Sequence, residues 1–232
     1  DAVQEGFYLV AILSLLLIAV GPLGQVMLTT NLSGRLGSAL IQYLPDTQLI
    51  LLIGAMVVSL ILGMGLPTPV AYIIVALALV PFMQQIGIPA LQAHFFVFYF
   101  AVFSTLTPPV AVSVLAAAKL GEATFLSTAK DSMKIALTTF IIPFAFVFSP
   151  ELMLFPVITV GTIIAIVEVV FVQLAVSVAS YGFLFRSLNG VERGGYTIVA
   201  LSGFLGFTYD TVFWYVAVIL FLAMSGYVYI TK

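Results

Sequence analysis

The chain has 232 residues, of which 63% are hydrophobic and only 7% carry a charge. A soluble domain has about 25% charged residues, so the composition excludes a water-soluble fold and indicates an all-α polytopic membrane protein whose apolar runs reach the roughly 20 residues that cross a bilayer. With a net charge of −2, no cysteine and a single histidine, the sequence excludes disulfides and a histidine-rich metal centre, and we expect neither a nucleic-acid partner nor a cofactor.

Residues 1–45 are predicted to form a bent transmembrane helix and an interfacial segment. The apolar stretch 7–29 contains Gly21 and Pro22, which favour a bend. Residues 31–46 mix polar and apolar side chains, a pattern typical of a segment at the membrane surface. The chain does not begin with Met, and we expect it to be part of a longer polypeptide.

Residues 46–150 are predicted to form one transport repeat, whose first feature is a re-entrant hairpin at 47–83. Its two apolar arms are each short for a membrane crossing, and the peptide GMGLPTP lies between them at 63–69. Two glycines and two prolines in seven residues oppose a continuous helix. We therefore expect a hairpin that enters the membrane from the non-cytoplasmic side and turns back near the midplane.

The second feature of the repeat is a broken helix at 93–118, followed by a span at 135–148. The helix is long enough to cross once, but the peptide TLTPP interrupts it at 105–109. In lipid, non-helical backbone is tolerated only where protein buries it or where it lines a cavity. Interrupted helices also mark the binding sites of secondary transporters. Two such breaks predict an ion site lined by free backbone carbonyls.

Residues 151–232 are predicted to form a C-terminal transmembrane extension. Six of the seven basic residues lie in 119–134, in 185–195 and at Lys232, with two predicted crossings between each group and the next. Basic residues stay on the cytoplasmic side, so these three ends are predicted to be cytoplasmic. The extension has three apolar segments: 156–181, 196–207 and 211–230.

The motifs GMGLPTP, AHFFVFYFAV and TPPV, taken together, resemble the large membrane (permease) subunit of tripartite ATP-independent periplasmic (TRAP) transporters. The resemblance covers about residues 11–151 and concerns the C-terminal half of that subunit. It is strongest to the fused-permease branch that works with TAXI-type binding proteins. In the tail, the segment GFLFRSLNGVER is similar to the extension of fused permeases.

The resemblance implies a Na⁺-coupled secondary transporter permease, not an enzyme, that imports organic acids (carboxylates) delivered by a periplasmic TAXI-type binding protein. It implies a multi-pass protein in the cytoplasmic (inner) membrane of a bacterium or archaeon, surrounded by lipid. The further partners implied are the N-terminal half of the permease and a small four-helix membrane region. The alternative is a non-transporting membrane scaffold or assembly subunit that has lost one repeat.

The same resemblance places a sodium site on the two breaks. The implied ligands are carbonyls at Gly63, Ser104 and Val110 and the hydroxyl of Thr107. The family usually has glycine where Ser104 stands. The full set of residues implied to bind Na⁺ or substrate is Gly63, Gly65, Pro67, Thr68, Ser104, Thr107, Pro108 and Val110.

Two further residues call for an interpretation. Glu168 lies in the middle of an apolar segment, where an ionisable group is expensive and functional by default. Because it belongs to the extension, we expect a neutral, hydrogen-bonded packing residue, not a proton relay. His94 begins the block 93–118 and is interpreted as a structural residue near the membrane surface. Zinc proteolysis is excluded because the sequence has no His-Glu-x-x-His cluster.

Overall fold

The computed structural model describes residues 2–45, 47–153 and 157–231. Over these ranges the chain is largely helical and contains no β-strand, which confirms the predicted all-α polytopic class. Lys232, predicted to be cytoplasmic, lies outside the described residues. The chain divides into two compact units, Asp1–Phe125 and Leu126–Lys232. The two units are defined by how closely their residues pack and not by function. The predicted boundaries of the repeat and the extension therefore stay predictions.

Within the described residues, four helical stretches are long and apolar enough to cross a membrane. Two further apolar helices are shorter than a full crossing, and they are the first arm of the predicted hairpin and the first half of the predicted broken helix. The four candidate spans are Thr68–Gln85, Phe125–Phe148, Val160–Tyr181 and Thr211–Ile230.

The described residues of the first unit form six helices. The first continues through Pro22 without a break, and the second occupies the predicted interfacial segment. The helices are α1 (Ala2–Thr29), α2 (Leu32–Tyr43), α3 (Gln48–Gly63), α4 (Thr68–Gln85), α5 (Ala90–Phe103) and α6 (Val112–Leu120).

Helix α4 lies at the centre of the first unit, where it contacts α1, α2, α3 and α5. A helix that is apolar on all sides is buried by its neighbours, and α4 fits this description because its buried residues lie on several sides. The predicted hairpin is present as α3 and α4, and both arms pack on α5. The membrane depth of the turn stays a prediction.

The second unit begins with a helix that starts ten residues before the predicted span at 135–148. Lys130 and Lys134 are exposed on α7, whereas Ala129 and Ala136 are buried. Because the charged side chains lie on the exposed face of α7 and not on its packed face, the helix can begin before the apolar segment 135–148. The elements are α7 (Phe125–Thr139), α8 (Ile141–Phe148), a short 3₁₀ helix (Pro150–Met153), α9 (Val160–Tyr181), α10 (Gly190–Thr208) and α11 (Thr211–Ile230).

Helices α9, α10 and α11 form a three-helix core in which α10 contacts both of the others. Ala175 of α9 packs with Val199 of α10 and Ala217 of α11. Small residues on α10 allow this close approach. A Cβ atom added at Gly203 would lie 2.8 Å from Val172, and one added at Gly206 would lie 2.8 Å from Trp214.

The loop between α9 and α10 is closed by a capping box and an ion pair. The Asn189 side chain accepts a hydrogen bond from the Glu192 backbone N–H (2.9 Å), and the Glu192 carboxylate accepts one from the Asn189 N–H (2.9 Å). Arg186 donates two hydrogen bonds to the same carboxylate, at 2.6 and 3.0 Å. Arg186 also donates to the Thr231 hydroxyl (2.9 Å). The end of α11 therefore lies beside this loop, and the predicted pair of crossings stays a prediction.

Arg193 caps the C-terminal end of α9. Its guanidinium donates to the carbonyls of Ala179 and Ser180, both at 3.0 Å. These carbonyls belong to the last helical turn, where helices lack internal donors and carry partial negative charge. Arg186 in the loop and Arg193 at the start of α10 thus both have structural partners.

Candidate functional site

The tip of the hairpin is a turn of four residues between α3 and α4. Helix α3 ends at Gly63, and the Leu66 N–H donates to the Gly63 carbonyl at 3.3 Å. Gly65 has a φ of 74°, a conformation that suits glycine. Pro67 is the cap residue of α4 with extended backbone (φ −59°, ψ 141°). Pro69 lies in the first turn of α4, where helices tolerate proline because the first N–H groups have no partner within the helix.

The second break interrupts the chain between α5 and α6, at the position predicted from the sequence. Ser104 caps α5 and α6 starts at Val112. The Ser113 N–H donates to the Thr105 carbonyl (3.1 Å), and the Ser113 and Thr105 hydroxyls are 3.2 Å apart. The break is therefore an ordered turn whose two ends are joined by a backbone hydrogen bond and a hydroxyl contact.

The hairpin tip and the break lie in direct contact. A Cβ atom added at Gly63 would lie 2.5 Å from the Ser104 hydroxyl oxygen and 3.2 Å from the Ala101 carbonyl oxygen. A Cβ atom added at Gly65 would lie 3.4 Å from the Val110 side chain. The structure thus brings together Gly63 with Ser104 and Gly65 with Val110, as an ion site shared by the two breaks requires.

Two hydroxyl groups are buried in the break. Ser104 is fully buried and donates to the Ala101 carbonyl at 2.6 Å. Thr107 is 6% exposed, and its hydroxyl lies 3.3 Å from the Phe103 carbonyl and 3.2 Å from the Ser104 carbonyl. Each hydroxyl uses its hydrogen on a carbonyl of its own segment, so its oxygen keeps lone pairs that can face a cation.

Free backbone carbonyls border both breaks. Within the described residues, no hydrogen bond reaches the carbonyls of Met64, Gly65 or Leu66 in the tip, or those of residues 106–110 in the second break. The peptides 60–70 and 100–112 contain no ionisable side chain. The electrostatic field in these breaks therefore comes from carbonyls, hydroxyls and helix ends.

The helix ends meet in an order that favours a cation on one side of the contact. Gly63 ends α3 and Ser104 caps α5, so two C-terminal ends with partial negative charge converge at the Gly63–Ser104 contact. Helices α4 and α6 begin at Thr68 and Val112, close in sequence to the Gly65–Val110 contact. Their N-terminal ends carry partial positive charge and free N–H groups.

The other predicted site residues serve the turns. Pro67 and Pro108 are exposed, Thr68 is half-buried and the Val110 side chain is 44% exposed. In the described part of the chain, the Thr68 hydroxyl has no hydrogen bond. Pro67, Pro108 and Val110 can offer an ion only their backbone carbonyl oxygens. For Val110 this agrees with the implied ligand set, which contains its carbonyl.

One contact near the tip was not predicted from the sequence. The Tyr72 hydroxyl lies 2.9 Å from Nδ1 of His94, which joins α4 to α5. Tyr72 stands one helical turn after Thr68, directly behind the GMGLPTP peptide. The position of Tyr72 in the sequence, so close to this peptide, is the signal that could have pointed to the contact.

A comparison with known families decides what this pair of breaks belongs to. The family model described as the tripartite ATP-independent periplasmic transporter, DctM component, matches residues 2–160. The chain belongs to this family. It is a TRAP transporter permease component and a multi-pass membrane protein. Searches among curated proteins and among solved structures find no match.

The TRAP family sets the partners of the chain at a coarse level. Large TRAP permease components work with a periplasmic binding protein and a small membrane component. The family match includes both breaks and ends at Val160, the first residue of α9. Helices α10 and α11 lie outside it.

Glu168 of α9 therefore lies beyond the family match. It is half-buried among apolar residues of the second unit. The sequence predicted a hydrogen-bonded packing residue, but the Glu168 side chain makes no hydrogen bond or ion pair within the described ranges. The reason is its neighbourhood, because the packed residues around it on α9 are apolar, with Ala165 and Val172 buried on either side.

Proposed function

We propose that this TRAP permease component is part of a Na⁺-coupled transporter that imports organic acids handed over by a periplasmic binding protein. The observation that supports it most is the contact of Gly63 with Ser104, where the C-terminal ends of α3 and α5 converge. Unwound carbonyls and helix C-termini are the groups that hold Na⁺ in secondary transporters.

The ligand set we propose for Na⁺ is made of uncharged oxygens. Carbonyls at Gly63, Ser104 and Val110 supply the backbone part, and the Thr107 hydroxyl adds one side-chain oxygen. A hard cation prefers oxygen ligands. Since no carboxylate lies in either break, the bound ion would keep its positive charge and attract an anion nearby.

The substrate class follows from the opposite helix ends. The starts of α4 and α6 offer N–H groups and partial positive charge, and such ends bind carboxylates. The half-buried Thr68 hydroxyl and the glycine at position 65 allow a small anion to approach the backbone. This arrangement supports an organic acid over a sugar or a cation as the transported molecule.

Coupling between ion and substrate would act through the shape of the two breaks. We call the arrangement in which the hairpin tip contacts the second break the joined arrangement. Sodium bound between tip and break favours the joined arrangement, and substrate binds better to it. Each ligand then raises the affinity for the other without direct contact. We further propose that the binding protein is of the TAXI type and that the chain works with an N-terminal permease half and a small four-helix membrane region. The membrane we propose is the inner membrane of a bacterium or archaeon.

The proposal is tested by uptake into proteoliposomes that contain the complete permease, with the binding protein outside and an inward sodium gradient. We expect uptake of a labelled organic acid that stops when sodium is replaced by potassium or when the binding protein is omitted. Uptake that ignores sodium would contradict ion coupling. No uptake of any acid, with normal assembly of the partners, would favour the scaffold alternative.

Thr107→Val should raise the sodium concentration for half-maximal uptake by about fivefold. Valine keeps the shape of the side chain and removes one oxygen ligand, a loss of roughly 1 kcal/mol. The control is Thr208→Val, because the Thr208 hydroxyl also bonds a carbonyl of its own helix, at 3.0 Å, but lies in the extension. If Thr107→Val and Thr68→Val both leave the sodium dependence unchanged, the ion is bound elsewhere.

Glu168→Gln should leave sodium-coupled uptake within about twofold of the unmodified protein. The carboxyl lies in α9, outside both breaks and beyond the family match. Amide and carboxyl have nearly the same shape, so packing is kept. Initial uptake rates at saturating and at limiting sodium provide the measurement, with expression and thermal unfolding as controls. A large loss of uptake in a normally folded variant would give Glu168 a role in transport.

A further inference from the structure

A polar contact joins the second arm of the hairpin to the first half of the broken helix. The Tyr72 hydroxyl on α4 and Nδ1 of His94 on α5 are 2.9 Å apart. The Tyr72 ring also packs edge-on against His94, with ring centroids 6.1 Å apart, and against Phe98, with centroids 5.5 Å apart and planes at 84°. Tyr72 is thus oriented by α5 on two sides.

The surroundings of this contact are apolar. Tyr72 and His94 line a groove of about 450 Å³ whose other walls are Leu91, Phe95 and Phe98. In such low-dielectric surroundings a hydrogen bond is strengthened, and a polar group that loses its partner is destabilising. The described residues offer the Tyr72 hydroxyl no second partner. The contact therefore has two states of clearly different free energy, made and broken.

The position of the contact relates it to the two breaks. Tyr72 follows the first residue of α4 by one turn, about 6 Å along the helix. His94 precedes Ser104 by ten residues on α5, about 15 Å. Helix α3 is already fastened to α5 by the Gly63–Ser104 contact. The Tyr72–His94 contact fastens the other arm, so both sides of the hairpin tip are held against the same broken helix.

We infer that the Tyr72–His94 hydrogen bond is a positioning contact for the ion site, which keeps the hairpin tip joined to the break without touching the ion. The inference rests on the proposed function as far as sodium is concerned. Breaking the bond lets α4 move on α5, so the joined arrangement becomes less populated. Sodium then has to supply the difference, and its apparent affinity falls.

The chemistry of the pair offers a conservative rescue. With the imidazole proton on Nε2, the Tyr72 hydroxyl donates to Nδ1, which accepts. An asparagine at position 94 places Oδ1 the same number of bonds from Cα as Nδ1, so it can accept the same hydrogen bond. A leucine at this position fills similar space and accepts nothing.

The experiment compares Tyr72→Phe, His94→Leu, the double variant and His94→Asn in the complete permease. One measurement is the sodium concentration for half-maximal uptake. The other is hydrogen–deuterium exchange in residues 63–67 and 104–111 of the purified protein, which reports local opening without transport. Tyr196→Phe is the matched control, because it removes a hydroxyl that bonds the Ser225 hydroxyl at 3.1 Å within the extension.

We expect Tyr72→Phe and His94→Leu each to raise the sodium requirement and the exchange rate of both peptides by roughly three- to tenfold, the range of one lost hydrogen bond. The double variant should show no more than either single change, since both remove the same bond. His94→Asn should keep both measurements close to those of the unmodified protein, because asparagine can accept the same hydrogen bond, and Tyr196→Phe should leave both unchanged.

Unchanged exchange in Tyr72→Phe and His94→Leu, or additive effects in the double variant, would overturn the inference. Exchange in His94→Asn as fast as in His94→Leu would also overturn it, because loss of the ring packing and not of the hydrogen bond would then explain the faster exchange. If the unmodified permease shows no sodium-dependent uptake, the proposed function fails, whereas the exchange rates still decide whether the pair holds tip and break together.

Discussion

Gly63→Ala should abolish most sodium-coupled uptake by separating the hairpin tip from the break. The new methyl group would lie 2.5 Å from the Ser104 hydroxyl oxygen, 2.9 Å from its Cβ and 3.2 Å from the Ala101 carbonyl. Overpacking of this kind costs about 1 to 3 kcal/mol, which lowers the population of the joined arrangement by roughly 5- to 150-fold. Uptake at limiting sodium, where the joined arrangement depends most on the ion, measures the loss.

A second change on the partner residue separates a local clash from general damage. Ser104→Gly removes the two nearest atoms and leaves the Ala101 carbonyl, at 3.2 Å, as the nearest neighbour, so the double variant Gly63→Ala/Ser104→Gly should recover much of the uptake. Gly226→Ala is the matched control, since an added Cβ there meets nothing within 4 Å. Normal sodium dependence in Gly63→Ala would mean that tip and break do not act as one site.

Glu192→Gln should destabilise the extension and remove part of its acid sensitivity. The Glu192 side chain is 8% exposed and accepts hydrogen bonds from Arg186 and from the Asn189 backbone. Glutamine keeps the size and can still accept from Asn189, so the change isolates the loss of charge. The midpoint of thermal unfolding of the purified protein should fall at neutral pH.

The direction of the pH effect follows from the pKa of Glu192. The Arg186 hydrogen bond, with help from the Asn189 N–H, lowers the pKa of this carboxyl below its usual 4.5. A lowered pKa in the folded state gives stability that is present above the unfolded pKa and is lost as the pH falls through the folded pKa. The unmodified protein should thus lose this stability below about pH 4.5, whereas Glu192→Gln should show a flatter decline.

Two further variants separate the cap from the ion pair. Asn189→Ala removes the acceptor for the Glu192 N–H and should cost about 1 kcal/mol at any pH. Asp131→Asn removes the partner of Lys134 in an ion pair with exposed side chains (52% and 68%), which contributes little. Equal effects of Glu192→Gln and Asp131→Asn would show that the buried pair adds no more than a surface pair.

The hairpin and the broken helix could be predicted from the sequence because glycine and proline act locally. The GMGLPTP and TLTPP peptides oppose helix wherever they stand, and the structure has turns at both. Helices α7 and α10 begin at Phe125 and Gly190, whereas the sequence placed the starts of these segments at 135 and 196. The prediction began too far along the chain because a hydropathy pattern registers apolar residues and not helix caps. The N-x-x-E pattern at Asn189 and Glu192 carries the missing signal for α10.

The contacts between the elements could not be predicted in the same way. A hydropathy pattern does not say which side chains meet across two apolar helices. The resemblance to TRAP permeases implied that Gly63 and Ser104 lie close together, whereas nothing in the sequence pattern pointed to the Tyr72–His94 bond. His94 was interpreted as a structural residue near the surface, and the structure adds its partner on α4, which the sequence did not identify. Whether sodium occupies the predicted ligands stays a prediction.

The small residues of α10 have a consequence for how the protein is built during synthesis. Gly203 and Gly206 allow α9 and α11 to approach, and together with Glu192 and Arg193 in the first turn they make α10 less apolar than α9 and α11. Helix α10 is not among the four candidate spans found in the described residues. Such a segment partitions weakly from the translocon by itself. Helix α11 follows after a turn of two residues and is far more apolar. We therefore expect both to leave the translocon together, as one helical hairpin.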